Sequence, residues 1–305
     1  SFGKQDNMAK LAKWCAIAGG LWMTVTGVVS PALASVQPAD GKTKSKVRLI
    51  AEQAGVAPGQ TLTFGLHFEM SPGWHIYYAG INDTGMPPSA EFTLPEGWKV
   101  GQMQWPAPKR KALPGDILDH IYEGRVTLLV PITVPADFKG SSQVTISAAV
   151  DWLVCEDACL TASDTVKLDL PVRDPAEASK PGPDAALFAT ARQTLPKPLP
   201  ADGSVRAVLA DDRLRLAGPE GAKLEYFPAD GSRRPLNILK DCTGGRTLDI
   251  PLEKSERGEA LPEVRGILRV AVPAEGGKPD VVAHYLIENV PAQGAVQPGP
   301  RRGGY

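Results

Sequence analysis

Apolar residues recur at every second position in several separate runs of this chain. That period puts side chains alternately on the two faces of a β-strand, not along one stripe of a helix. Leu62, Phe64, Leu66, Phe68 and Met70 mark one face of such a run, and Thr63, His67 and Glu69 the other. Val47, Leu49 and Ala51 alternate before it. Ala90, Phe92 and Leu94 form a short run, and Val126, Leu128, Val130, Ile132 and Val134 a longer one. Val144, Ile146, Ala148, Val150, Trp152 and Val154 lead straight into Cys155, while Val166, Leu168 and Leu170 follow Cys159. Helix-type periodicity is scarce, and 31 Gly and 29 Pro punctuate the runs. The pattern predicts an all-β protein whose first domain, at about 46–173, is an immunoglobulin-like sandwich. A thioredoxin fold needs βαβ units, which the sequence lacks.

A second β domain is expected at 205–291, with strands over Val205 to Leu209, Leu224 to Phe227, Leu248 to Leu252, Val264 to Val272 and Val281 to Ile287. Between the two, residues 174–204 carry Pro175, Pro181, Pro183, Pro196, Pro198 and Pro200. They read as a stiff linker with a short helix that starts after Asp184. The expected architecture is thus two immunoglobulin-like β-sandwiches joined by a Pro-rich linker with a short helix. Residues 292–305, rich in Gly, Pro and Arg, read as a disordered tail. At the other end, Lys10 and Lys13, the uncharged stretch from Trp14 to Val29 and Ala32-Leu33-Ala34 have the anatomy of an export signal over 1–34, cleaved near Ala34. The 305 residues suffice for two cores, and a net charge of −1 leaves no electrostatic footprint for nucleic acid.

Export would leave three cysteines, Cys155, Cys159 and Cys242, in an oxidising compartment. Cys155 and Cys159 stand where two strands meet. A bridge closing so short a loop stabilises by only about 2 kcal/mol, a weak reason for a chain with ordinary cores to carry one. Electron exchange or metal binding, as in a periplasmic copper-tolerance protein, explains the pair better than a non-catalytic interaction module with a structural disulfide, which stays as the third alternative. Exchange needs an attacking thiolate, a second thiol to resolve the mixed disulfide, and access for the partner's sulfur. The negative charges of Glu156 and Asp157 disfavour thiolate formation, so selectivity is expected to come from docking. His75 and His120 could join Cys155 and Cys159 around a soft metal such as Cu(I), although isolated histidines in loops are more often solvated or hydrogen-bonded. Tyr77, Tyr78 and Trp152 either flank the pair or belong to the core. Cys242 has no partner within its own domain and reads as a free thiol.

Five ordered motifs carry a family resemblance. They are Gly73-Trp74-His75-Ile76-Tyr77-Tyr78, Asp83-Thr84-Gly85-Met86-Pro87-Pro88-Ser89, Leu94-Pro95-Glu96-Gly97-Trp98, Trp105-Pro106-Ala107-Pro108 and Asp151-Trp152-Leu153-Val154-Cys155-Glu156-Asp157-Ala158-Cys159. Together they resemble the N-terminal periplasmic domain of the DsbD/ScsB thiol:disulfide interchange proteins. Tyr226-Phe227-Pro228 and Gly266-Ile267-Leu268 resemble the second sandwich of the ScsB branch.

The resemblance implies a periplasmic, monomeric module without a cofactor. It would take electrons from a thioredoxin-like domain and pass them to oxidised client proteins, with Cys155 and Cys159 cycling and Cys159 forming the mixed disulfide. It also implies a cap loop, which maps to 111–122 with Leu113, Ile117, Leu118 and Tyr122 as the covering residues. The sequence contains no eight-helix electron conduit and no thioredoxin-like domain, so the expected donor belongs to a separate membrane reductase.

Overall fold

The structure, a computed structural model, describes residues 40–139, 141–254 and 263–290. The signal expected at 1–34 and the tail expected at 292–305 lie outside the described residues. No helix among the described residues is long and apolar enough to cross a membrane.

The first sandwich is formed by β1 (Ser45–Ala51), β2 (Thr61–Met70), β3 (His75–Tyr77), β4 (Ser89–Thr93), β5 (Lys99–Val100), β6 (Lys109–Leu113), β7 (Ile117–Glu123), β8 (Arg125–Thr133), β9 (Gln143–Cys155) and β10 (Cys159–Pro171). One sheet has the order β1-β2-β8-β5; the other runs β10-β9-β3-β7-β6, with β4 also paired to β9. The alternation read in β9 holds along its length: Val144, Ile146, Ala148, Val150, Trp152 and Val154 all point inward. They meet Leu62, Phe64, Leu66 and Phe68 of β2 in one buried cluster. Trp152 packs edge-on against Phe68 and donates its indole N–H to Ser45 Oγ at 2.7 Å, so its polar atom is satisfied inside the core.

The outer face of β2 is not left to water. Helix α1 (Pro175–Ala178) and helix α2 (Ala185–Thr194) lie in the Pro-rich segment, and α2 sets Phe188 and Ala191 against Ile50 and Leu129. Gly65 makes room for it: a Cβ there would stand 3.2 Å from the Phe188 ring and 2.7 Å from the Thr127 methyl. His67, on the same face, is buried and pairs through Nδ1 with Thr127 Oγ1 at 2.8 Å. The segment is also stitched to the sheet edge by Gly182 N–H to Glu52 O at 2.7 Å and Ala54 N–H to Lys180 O at 2.8 Å. The prolines therefore shape a strap along the first sandwich. It reaches the second where Lys197 N–H donates to His284 O at 2.9 Å.

The second sandwich comprises β11 (Arg206–Ala210), β12 (Arg213–Ala217), β13 (Lys223–Pro228), β14 (Thr243–Gly244), β15 (Thr247–Pro251), β16 (Gly266–Val272) and β17 (Val281–Ile287), in sheets ordered β11-β12-β15 and β14-β13-β16-β17. Leu214, Leu216 and Ile250 face Leu224, Tyr226, Leu268 and Val270 across its core. The two sandwiches are in contact, because Phe227 and Ile267 join the first domain's cluster. Backbone bonds splice them together: Ile81 N–H donates to Pro228 O at 3.0 Å and Asp230 N–H to Ala79 O at 3.1 Å.

Truncating Phe188 to Ala should cost roughly 3 kcal/mol, near the low end for a buried phenylalanine because the site lies on a sheet surface. The loss will appear as a lower urea midpoint with unchanged slope. An unchanged midpoint would show that α2 is not held on the sheet.

Candidate functional site

Residues 155 and 159 face each other as the last pair of the β9–β10 ladder, and they are joined by a disulfide with Cα atoms 4.2 Å apart. The three residues between them are held by Glu156 N–H to Ala158 O at 3.2 Å. The partners are unequal: Cys155 is 2% exposed, whereas Cys159 is open to solvent. On β9 the residues 153 and 155 have opposite parity to the core-facing set, which puts the disulfide on the outer face of the six-stranded sheet.

That face is furnished by neighbouring strands. His75 of β3 pairs with Cys155, and Tyr77 pairs with Ile121 of β7. Tyr77, Ile121 and Cys155 form a small buried cluster with Leu153 against it. The Tyr77 hydroxyl lies 3.6 Å from Cys159 Sγ. Burial pushes this phenol up, with partial relief from the Thr84 hydroxyl, so it stays protonated at neutral pH and can donate to sulfur. His75 stacks edge-on to Tyr77 and contacts Lys111 Nζ through Nδ1 at 3.3 Å. Burial, and then the Lys111 charge, lower its pKa.

A loop closes over Tyr77. Gly85 lies so close to the hydroxyl end of the ring that a Cβ there would collide with it. Asp119 of β7, wholly buried, holds the loop in place by accepting from Asp83 N–H and Thr84 N–H, both at 3.0 Å, and from the Thr84 hydroxyl. On the opposite side Gly73 stands at φ +86°, in the left-handed region that favours glycine, with the Glu156 carboxylate beside it.

Of the residues singled out in the sequence, Cys155, Cys159, His75 and Tyr77 are thus brought together. Tyr78 and Tyr122 instead stack edge-on in the sandwich core, where the Tyr122 hydroxyl donates to Pro106 O at 2.6 Å, and Trp152 is a core residue. The 111–122 segment is most of the β6–β7 hairpin. Leu118 packs with Ile81 and Ile238 and not with the cysteines, because its parity on β7 directs it to the second sandwich; Leu113 and Ile117 pair, half-buried, at the hairpin tip. The hairpin residue that does reach Cys155 is Ile121. His120 is directed away from the disulfide as well. Its Nδ1 meets Ile81 O at 3.0 Å, its ring packs on Phe227, and burial beside Arg110 lowers its pKa to about 3. Among the described residues no group of three or more His, Cys, Asp and Glu side chains has an arrangement that could hold a metal ion. Ile121, Asp119, Thr84 and Gly85 were not singled out. Thr84 and Gly85 stood inside a quoted motif, and Asp119 carried no local signal.

With this geometry in hand, the comparisons with known proteins are informative. The family described as the N-terminal part of the thiol:disulfide interchange protein DsbD matches residues 46–171. Residues 46–171 belong to the DsbD N-terminal domain family. The crystal structure of the N-terminal periplasmic domain of ScsB from Proteus mirabilis is 17% identical, covering 80% of this chain and 93% of that one at a TM-score of 0.48. The reduced DsbD N-terminal domain from Neisseria meningitidis is 13% identical, covering 40% and 84%, at a TM-score of 0.25. No curated protein is similar in sequence to this chain.

Cys242 is wholly buried in the second core, and burial pushes its thiol up to about 12. After mild reduction of the native protein, iodoacetamide should therefore label Cys159 first and Cys242 only on unfolding. Peptide mass mapping reads the order, and early labelling of Cys242 would contradict the placement.

All four histidines, His67, His75, His120 and His284, are held below their ordinary pKa chiefly by burial. The unfolded chain takes up these protons near pH 6.5 and the folded chain only at lower pH, so stability must fall as the pH drops below about 6.5. Thermal midpoints measured at about pH 7 and about pH 5 should differ in that direction. A midpoint that does not fall would refute it.

Proposed function

We propose that this chain is a periplasmic thiol–disulfide interchange module. Cys155 and Cys159 would cycle between disulfide and dithiol, receiving electrons from a thioredoxin-like domain of a separate membrane reductase and passing them to oxidised client proteins. The observation that carries the reading is the asymmetry of the pair, one cysteine buried and one open at a hairpin end, within residues 46–171 that match the DsbD N-terminal domain.

A donor thiolate attacks Cys159 Sγ, the accessible sulfur. The Cys155–Cys159 bond breaks, the donor–Cys159 bond forms, and Cys155 leaves as a thiolate that takes a proton. The donor's second thiolate then attacks the donor sulfur of the mixed disulfide. It releases the Cys159 thiolate, to which the Tyr77 O–H, 3.6 Å away, can donate a hydrogen bond. Two electrons and one proton have then entered the module, with Cys159 held as the thiolate, and the donor leaves oxidised. Discharge runs in reverse: the Cys159 thiolate attacks the client disulfide, and Cys155 resolves the mixed disulfide by attacking Cys159 Sγ. Tyr77, Ile121 and Leu153 shield Cys155, and Cys159 is the sulfur that a docking partner can reach.

The test is equilibration against dithiothreitol and glutathione buffers with alkylation and mass analysis. The bridge should have a potential above about −300 mV, the level below which structural disulfides lie. Cys155→Ala should trap a partner through Cys159, and Cys242→Ser should leave the potential unchanged within error. A bridge that resists reduction until the domain unfolds, together with no partner trapped by Cys155→Ala, would sink the reading.

A further inference from the structure

We propose that the second sandwich is a positioning module for the redox site, acting through Arg234 on Asp83. The inference rests on the function proposed above and deepens it.

A single segment of chain joins the two places. It leaves the disulfide at His75, which pairs with Cys155, and three residues after β3 ends it pairs through Gly80 with Ala229 of the second sandwich. It then turns back over Tyr77 as Asp83, Thr84 and Gly85. Asp83 is the junction. Its backbone N–H reaches Asp119, its Oδ2 accepts from Leu118 N–H at 2.8 Å, and its Oδ1 accepts from Arg234 at 3.1 Å. Arg234 is itself anchored. Glu253 N–H donates to its carbonyl at 2.9 Å, and the next residue, Pro235, bridges to Leu252 just beyond β15. The guanidinium therefore projects from the sheet of one sandwich onto the loop that covers the active face of the other. A second hold lies nearby, where Arg110 of β6 donates to the carbonyls of Ile238 and Leu239 at 3.2 and 2.7 Å.

An ion pair this exposed adds little to folding, between about 0 and 1 kcal/mol. Its effect is on where the loop stands. Next to Asp83, Thr84 contacts the Tyr77 hydroxyl and Gly85 covers the ring, and that hydroxyl meets Cys159 Sγ. Releasing Asp83 from Arg234 loosens the cover on Tyr77 and uncouples the phenol from the sulfur. Arg234 is thus a positioning residue, two contacts removed from the reacting atoms.

The experiment uses the full chain and small reagents only. The rate of reduction of the Cys155–Cys159 bridge by dithiothreitol is measured in wild type, Arg234→Ala, Tyr77→Phe and the double variant, with urea midpoints as a folding control. So is the pH profile of Cys159 alkylation in the reduced protein. Arg234→Ala should speed reduction by about threefold or more, the scale on which mutations of coupling residues act, and raise the pH midpoint of Cys159 alkylation. Arg234→Lys should restore part of both, and the urea midpoint should hardly move. In the Tyr77→Phe background Arg234→Ala should change neither quantity, because the two act along one route. Additive effects, or no effect in the wild-type background while the bridge itself exchanges freely, overturn this proposal and leave the proposed function standing. A wild-type bridge that does not exchange at all fells both. Should Arg234→Ala not fold, Arg234→Gln takes its place under the same criteria.

Discussion

A carboxylate buried away from water must find donors in the protein or lose its charge, and the site side of this molecule is organised around one such group. Asp119 has no exposure, and it obtains its donors from the backbone of Asp83 and Thr84 and from the Thr84 hydroxyl. Satisfying it helps to fix the loop that lies over Tyr77. Removing the carboxylate would take the acceptor from the Thr84 N–H and hydroxyl and leave the Asp83 N–H with Leu118 O at 3.2 Å, so loop and strand specify each other.

The position of Asp119 on β7 explains why one hairpin serves two purposes. Residues of even number on this strand turn toward the core and the second sandwich: Leu118 meets Ile238, His120 meets Phe227, and Tyr122 meets Tyr78. Residues of odd number turn to the opposite face, where Asp119 holds the loop and Ile121 packs on Tyr77 and Cys155. The strand period of two thus makes β7 a partition with the domain contact on one side and the redox pair on the other. Any shift of the strand would be felt on both sides.

The same period explains what could be read from the sequence. The inward residues of β9 and the existence of β17 follow from alternation and turn residues alone, and the meeting of Cys155 with Cys159 follows from two strands joined by a short turn. Alternation says nothing about which strands become neighbours. For that reason Leu118 and Ile121, chemically alike and three positions apart, could not be assigned to opposite faces of a particular site. Tyr77 and Tyr78 posed the same problem, and only the pairing of β3 with β9 puts Tyr77 beside the sulfur and Tyr78 in the core. Asp119 is a lone acidic residue in a strand, a pattern more common on solvated faces. Its burial depends on a loop 36 positions away in sequence. The outer face of β2, polar in sequence at Thr63 and Glu69, gave no sign that α2 would cover Gly65.

Selectivity among the three thiols then needs no special electrostatics. Cys242 is silenced by the second core, whose low polarity holds its thiol neutral. Cys155 is shielded by Tyr77, Ile121 and Leu153. Cys159 is open, but Glu156 and Asp157 beside it oppose the approach of an anionic thiolate, and the loop at Thr84 and Gly85 sits over the phenol that would stabilise its own. A free thiol in solution meets the repulsion without compensation. A folded partner can offset it by contacts over the surrounding surface, which places the discrimination in docking and leaves the sulfur chemistry itself ordinary.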